Sequence, residues 1–190
     1  MTTPSVVVGD ITRLDRTAAP PDAIVNAANS ELAQGSGVCG AIFAAAGAAE
    51  LAAACRPLAP CPTGAAVATP AFDLGRRGVT HIIHAVGPVW PGDGDTGAQA
   101  RADALLASAY RSALDLAERL GVRSLALPAL STGVYGFPPE RAAVVATEVV
   151  TTHTGRLHQI LLVAFDERAA TPLRTALAGR GGAGAPTGAA

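Results

Sequence analysis

Apolar residues occur along this chain in short consecutive runs rather than at every second position. Five such runs predict strands at residues 5–8, 23–27, 80–86, 124–127 and 159–164. Strands that are apolar at consecutive positions are buried on both faces, as in a largely parallel sheet covered by helices. The segment 64–70 is a weaker candidate for a sixth strand.

Alanine-rich stretches alternate with these strands and predict helices at residues 38–56, 99–121, 139–153 and 167–178. Gly121 gives the second helix a clear stop, and Asp166 can cap the fourth at its N-terminus. Strand–helix–strand repetition of this kind predicts an α/β fold, a three-layer α/β/α sandwich.

The 190 residues are enough for one domain with a sizeable core, which we place at residues 1–178. Residues 179–190 form a Gly/Ala/Pro-rich tail that we expect to be disordered. Hydrophobic residues make up 49% of the chain, but many are alanine. No apolar run reaches the ~18 residues of a membrane span. The N-terminus lacks a basic segment followed by an apolar one, so we expect a cytoplasmic protein without a membrane partner.

The charge, the cysteine spacing and the types of basic residue exclude several further classes of function. The formal net charge of −1 provides no general attraction to nucleic acid. Three cysteines at unrelated spacings predict free thiols and no zinc site, and nothing indicates a cofactor. All fourteen basic residues are arginine, which excludes Schiff-base chemistry on a lysine.

Ligands of open α/β sheets bind at the carboxyl ends of strands, so the loops at those ends are the candidate sites. The loop after the second strand carries Gly35, Gly37 and Gly40 just before an alanine-rich helix. Backbone N–H groups and the helix dipole there can cradle a phosphate. Plain turns are an equally good explanation of these glycines, and no P-loop lysine is present.

A second loop follows the strand predicted at residues 124–127. Ser131, Thr132 and Gly133 offer hydroxyls and close backbone approach, while Tyr135 and Phe137 can form apolar walls for a sugar or base. The alternative is that the two aromatic rings only fill the edge of the core. Two glycine-bearing loops facing one cleft favour a pyrophosphate.

A third candidate follows the first strand. Asp10 can accept a hydrogen bond from an exocyclic amine such as that of adenine. A turn or helix cap is the more frequent use of an aspartate at such a place.

Six ordered motifs between residues 5 and 178 resemble those of the macrodomain family. They are GDIT (9–12), DAIVNAANS (22–30), GSGVCGAI (35–42), CPTG (61–64), IHAVGP (83–88) and PALSTGVYGFP (128–138). The resemblance is to the branch that removes mono-ADP-ribose from acidic side chains and deacylates O-acetyl-ADP-ribose. It implies a mixed, mainly parallel central sheet.

The resemblance also implies a role for each loop. Asp10 holds the adenine amino group and Ile11 lines the same end. Asn29 binds the distal ribose, with Phe137 beside it. The pyrophosphate lies between Gly37, Val38, Cys39 and Gly40 on one side and Ser131, Thr132, Gly133, Val134 and Tyr135 on the other. His84 has no clear ligand role and is interpreted as a core histidine or as one that supports the residues contacting the ligand.

The chain departs from that branch at the helix after the glycine loop. Its usual Val-Asp-Gly-x-Ile-His is Val38-Cys39-Gly40-Ala41-Ile42-Phe43 here, so the acid and the histidine are both replaced. A carboxylate is ionised at pH 7 and can accept a proton from water, whereas a thiol with a pKa of ~8.5 is mostly neutral. Water attack assisted by the substrate's own phosphate, with Asn29 and Cys39 as catalytic candidates, is the mechanism that remains. Glu31, Asp93 and Asp95 are alternative acids but are expected to be solvated loop charges.

Two functions follow as hypotheses. The first is a monomeric hydrolase acting on an ester of ADP-ribose, from ADP-ribosylated protein or an O-acyl metabolite. The second is a module that binds ADP-ribose without turnover. A nucleic-acid-binding domain is disfavoured because no basic run is present.

Overall fold

Six strands form one mixed sheet in the computed structural model, which describes residues 3–16 and 20–181. The strands are β1 (Ser5–Val8), β2 (Ala23–Ala28), β3 (Ala66–Pro70), β4 (His81–Val86), β5 (Ser124–Pro128) and β6 (Gln159–Ala164). Their spatial order is β1-β6-β5-β2-β4-β3. All neighbours pair in parallel except β3, which runs antiparallel to β4 at one edge. The weak sixth candidate is therefore a real edge strand.

Five α-helices cover the sheet: α1 (Gly37–Ala46), α2 (Ala48–Cys55), α3 (Thr96–Leu120), α4 (Pro139–Thr152) and α5 (Glu167–Gly181). Short 3-10 segments occur at Ile11–Arg16, Arg56–Leu58 and Phe72–Arg77. Residues 182–190 of the predicted tail lie outside the described residues.

The helix predicted over residues 38–56 is wrong as a single element, because the chain breaks at Gly47. This glycine has φ 97° and ψ 96°, a backbone conformation that ends α1 and starts α2 in a new direction. A Cβ at this position would lie 3.0 Å from Glu50 Oε2. Alanine-rich composition on both sides hides the break in the sequence.

The predicted cap residues agree with the structure more closely than the predicted helix ends do. Gly121 is left-handed at φ 71° and caps α3, as predicted. Asp166 Oδ1 accepts a hydrogen bond from Ala169 N at 2.8 Å, which confirms the N-terminal cap of α5. Helix α3 begins at Thr96, three residues before the predicted start, because Asp95 Oδ1 accepts from Ala98 N at 2.9 Å.

Apolar residues fill both faces of the sheet, which confirms the three-layer sandwich. Along β2, Ile24 packs beneath α1 and α2, whereas Val25 faces α3 and α4. Tyr110 of α3 is fully buried, and its hydroxyl donates to Pro128 O at 3.1 Å and accepts from Leu130 N at 2.9 Å. The end of β5, where a candidate loop begins, is therefore fixed from inside the core.

Within the described ranges, no individual helix combines the length and apolar character that a membrane span requires. Helices α1 and α2, the latter extended to Leu58, meet that criterion only as a pair bent by 107°.

Candidate ligand cleft

A continuous cleft crosses the carboxyl end of the sheet and is made of two adjoining cavities. One has a volume of about 270 Å³ and lies near Asn29, and the other has a volume of about 500 Å³ and lies near Asp10. Gly37, Val38 and Gly133 line both cavities. We refer to the two cavities as the Asn29 end and the Asp10 end. The glycine loop and the loop after β5 thus face each other at the middle of the cleft.

The glycine loop is shaped by its lack of side chains. Gly37 begins α1 with φ 58°, in the left-handed region that favours glycine. A Cβ on Gly40 would lie only 2.7 Å from Gly35 O, so the loop folds back on the helix only with glycine there. Ser36 precedes α1 without a side-chain cap. The first N–H groups of the helix are therefore available to an anion in the cleft.

The loop after β5 holds a strained residue at the cleft. Ser131 has φ 66°, a conformation that costs a non-glycine residue on the order of 1–3 kcal/mol. Its Oγ is buried and has no hydrogen-bond partner among the described residues. Gly87 leaves room for this hydroxyl, since a Cβ there would lie 2.2 Å from Ser131 Oγ. Ser131 thus combines a strained backbone with a buried hydroxyl that lacks a partner among the described residues.

Asn29 stabilises its own loop as well as lining the cleft. Its Oδ1 accepts from Ala33 N at 3.1 Å, and its Nδ2 donates to Ala33 O at 2.9 Å. An amide has two donor hydrogens and two acceptor lone pairs, so each of these groups retains capacity for a ligand.

Cys39 faces two N–H donors at the Asn29 end. Its Sγ accepts from Gly35 N at 3.4 Å and from Asn26 Nδ2 at 3.6 Å, and its side chain is 5% exposed. The thiol itself is directed to Ala33 O at 3.8 Å. Phe43, one turn later, is fully buried in the core and does not line the cleft. All three cysteines are free.

A buried polar chain continues from Asn26 into the sheet. Asn26 Nδ2 lies 3.1 Å from His84 Nδ1, and Thr69 Oγ1 lies 3.0 Å from His84 Nε2. Burial lowers the pKa of His84 to about 4, so the ring is neutral near pH 7. The two ring nitrogens thus pair with the Asn26 amide and the Thr69 hydroxyl. His84 supports the residues behind Cys39, in agreement with its interpretation as a core histidine.

Asp10 performs the turn role and also lines its end of the cleft. Its Oδ1 accepts from Thr12 N at 2.9 Å and from Thr12 Oγ1 at 2.7 Å. Arg77 Nη1 donates to Thr12 O at 2.6 Å and anchors this turn to the rest of the fold. Ile11 is beside it, and Phe165, 80% exposed, lies across the same cavity. The sequence reasoning missed Phe165, although an aromatic residue directly after an apolar strand was a usable signal.

The structure brings eleven of the thirteen predicted site residues to the cleft wall. They are Asp10, Ile11, Asn29, Gly37, Val38, Cys39, Ser131, Thr132, Gly133, Val134 and Tyr135. Gly40 and Phe137 are not part of the lining. Gly40 packs against the Gly35 backbone, and Phe137 is 1% exposed beneath its loop, with its ring 4.7 Å from that of Trp90.

The three alternative acids also lie away from the cleft wall. Asp95 caps α3, and Glu31 and Asp93 are exposed. Asp10 is the one carboxylate among the residues that line the two described cavities, and it stands at the far end from Asn29 and Cys39.

The fold and the cleft define an α/β/α ligand-binding domain, and comparison with known proteins identifies its family. The Macro domain family model matches residues 25–146. A macro domain-containing protein of Ralstonia nicotianae is 49% identical over 87% of this chain and 91% of its own. An O-acetyl-ADP-ribose deacetylase of Klebsiella pneumoniae is 47% identical over 92% of this chain and 96% of its own.

Comparison with solved structures supports the same family. An Oceanobacillus iheyensis macrodomain with ADP superposes with a TM-score of 0.82 at 34% identity, covering 94% of this chain and 91% of that one. A Trypanosoma brucei macrodomain in complex with ADP-ribose gives a TM-score of 0.74 at 32% identity, covering 91% of this chain and 68% of that one. This chain belongs to the macrodomain family.

Proposed function

We propose that this protein binds ADP-ribose along the cleft and hydrolyses an ester at the distal ribose of the ligand. The substrate is a mono-ADP-ribosylated protein or an O-acyl-ADP-ribose. The observation that carries the proposal is that the glycine loop and the loop after β5, with its strained Ser131, face each other across one continuous cleft. Relatives named O-acetyl-ADP-ribose deacetylase support the same reaction class.

The two ends of the cleft suit the two ends of the ligand. The Asp10 end is larger and has Ile11 and Phe165 as apolar walls, which favours the adenine ring. The pyrophosphate then lies between Gly37 at the start of α1 and Gly133, where N–H groups and the helix dipole favour negative charge. The distal ribose reaches the Asn29 end, beside Cys39 and Tyr135.

The chemistry at the Asn29 end proceeds without a side-chain carboxylate in this proposal. Asp10, the carboxylate of the described cleft wall, is at the opposite end. Water therefore attacks the ester carbonyl under orientation by Asn29, with the ligand's own phosphate accepting the proton. The acyl C–O bond then breaks, the phosphate passes the proton to the departing ribose oxygen, and the acyl group leaves as the free acid. Such positioning and electrostatic effects account for much of many enzymatic rate enhancements. Cys39 lines this end as a small side chain, and Gly40 packs against the backbone of the glycine loop from behind.

The test is a hydrolysis assay on O-acetyl-ADP-ribose and on glutamate-linked mono-ADP-ribosylated protein, with ADP-ribose calorimetry in parallel. We expect binding together with release above the uncatalysed rate on at least one substrate. Absence of ADP-ribose binding would contradict the whole proposal.

A non-catalytic reader of ADP-ribose is the second candidate function. The absence of a carboxylate from the described wall of the Asn29 end favours it, because the usual general base of such a reaction is a carboxylate or histidine. Tight ADP-ribose binding without measurable turnover on either substrate would establish the reader. We further expect the protein to be cytoplasmic and monomeric. Sedimentation at micromolar concentration tests the oligomeric state.

A further inference from the structure

Trp90 lies between a cation and an aromatic ring, just behind the loop after β5. The Arg141 guanidinium carbon is 5.1 Å from the centroid of the Trp90 ring, and the Phe137 ring centroid is 4.7 Å away at a tilt of 56°. Trp90 is half-buried and does not line either cavity of the cleft. Its ring therefore packs against other side chains of the protein and does not form part of the cleft wall.

Arg141 is itself held in one orientation. It donates from Nε and Nη2 to the two carboxylate oxygens of Asp103, at 2.8 and 2.7 Å. Its Nη1 donates to Gln99 Oε1 at 3.3 Å, and Gln99 Nε2 donates to Gly92 O at 3.0 Å. A bidentate pair fixes the guanidinium plane as well as its position. Helices α3 and α4 and the loop that carries Trp90 are thus joined at one point.

The connection continues from Trp90 into the cleft wall. Trp90 N donates to Tyr135 O at 2.8 Å, and Phe137 N donates to Ser131 O at 3.0 Å. Both acceptors belong to residues that line the Asn29 end. A strained backbone such as that of Ser131 persists only where its surroundings over-determine it.

We propose that the stack of Phe137, Trp90 and Arg141, locked by Asp103, is a positioning unit that sets the Tyr135 wall of the Asn29 end. It thereby determines affinity for the part of the ligand beyond the pyrophosphate. The inference rests on the proposed function and adds residues that do not touch the ligand. Arg141 and Trp90 act on the ligand through Tyr135 and Ser131.

The experiment compares ADP-ribose with ADP, which lacks the distal ribose, by calorimetry on Trp90→Ala and Arg141→Leu. An aromatic–cation contact of this kind corresponds to about a 3- to 30-fold change in a binding constant. We expect the Kd for ADP-ribose to rise by that factor while the Kd for ADP changes by less than about 3-fold. Trp90→Phe keeps a ring in the stack and should recover most of the ADP-ribose affinity.

Arg76→Leu is the matched control, because Arg76 forms an exposed pair with Asp73 at 3.2 Å and lines neither cavity of the cleft. It should leave both affinities unchanged. Equal losses for ADP and ADP-ribose in Trp90→Ala, or no loss for either, would overturn the positioning role. So would a Trp90→Phe variant no better than Trp90→Ala. Failure of the wild-type protein to bind ADP-ribose would instead overturn the proposed function beneath it.

Discussion

Cys39 occupies a position at the cleft where the surrounding donors suit an acceptor atom. The Gly35 N–H and the Asn26 amide both point at its sulfur, and both are better partners for a carboxylate oxygen than for a thiol. The macrodomain branch that this chain resembles has an aspartate at this position. Cys39 therefore stands where that branch has an aspartate, among N–H donors that would also suit a carboxylate.

Cys39→Asp is accordingly expected to increase hydrolysis. A carboxylate at this position can orient and deprotonate water, and general-base help is worth on the order of 100-fold. The measurement is kcat/KM on O-acetyl-ADP-ribose. Cys39→Ala is the matched control and should retain wild-type turnover if the substrate assists its own cleavage. A collapse of turnover in Cys39→Ala with ADP-ribose affinity intact would make the thiol a catalytic group.

Ser131→Ala is expected to stabilise the folded protein while weakening its binding of ADP-ribose. Removing a buried hydroxyl without a partner should raise the free energy of unfolding by about 1 kcal/mol. The proposed contact of this hydroxyl with the ligand is lost at the same time, which should raise the Kd for ADP-ribose by about 5- to 10-fold. Urea denaturation and calorimetry measure the two effects.

The comparison variant is Ser112→Ala, whose hydroxyl donates to Gly64 O at 2.8 Å away from the cleft. It should lower the free energy of unfolding by about 1 kcal/mol without changing affinity. Destabilisation by Ser131→Ala of the same size would contradict the unpartnered state of that hydroxyl.

At the scale of elements, the start of α1 depends on a close backbone contact between helix and loop. Gly40→Ala places a Cβ 2.7 Å from Gly35 O, and a backbone atom cannot give way as a flexible side chain does. The loop that carries Gly37 must then shift by several tenths of an ångström. We expect the Kd for ADP-ribose to rise by about 10-fold or more, since misplaced donors at an anion site lose most of their hydrogen bonds.

Gly75→Ala is the control for this variant, because nothing lies within 4 Å of a Cβ at that position. Calorimetry should find its affinity unchanged. If Gly40→Ala also binds normally, the close contact does not shape the cleft.

At the scale of the whole molecule, His84 couples stability to pH. The neutral ring is buried between Asn26 of β2 and Thr69 of β3, and burial lowers its pKa in the folded protein to about 4, from an ordinary value of about 6.5. Between these values the unfolded chain binds a proton that the folded protein excludes. Stability is therefore complete above pH 6.5 and decreases as the pH falls toward 4, by up to about 3 kcal/mol.

Urea unfolding at pH 7 and pH 5 measures this loss, and His84→Gln should show a smaller difference between the two. Desolvation of Glu118 is outweighed by hydrogen bonds from Arg156 N, His153 and Leu157 N, so its pKa is lowered and its contribution to stability is lost only at pH below the ordinary range of a glutamate. An equal pH dependence in His84→Gln would assign the effect to other groups.

A large part of the site could be predicted from local signals in the sequence. Apolar runs at consecutive positions marked both neighbours of the cleft, β2 and β5, because a strand buried on both faces leaves that pattern wherever it lies in the sheet. Glycines after one strand and Ser131 to Gly133 after the other marked the two walls. Cap residues such as Asp166 and Gly121 were readable because a cap acts within a few positions of its helix end.

The sequence by itself therefore determined the class of fold and the loops that carry the cleft, since each depends on neighbours a few residues apart. Only the tertiary structure decided what surrounds those loops. Asn26 meets Cys39 and His84 across the sheet, Trp90 joins Tyr135 to Arg141, and Phe137 turns inward rather than toward the cleft. These contacts join residues far apart along the chain, and their geometry exists only once the sheet order has brought the strand ends together.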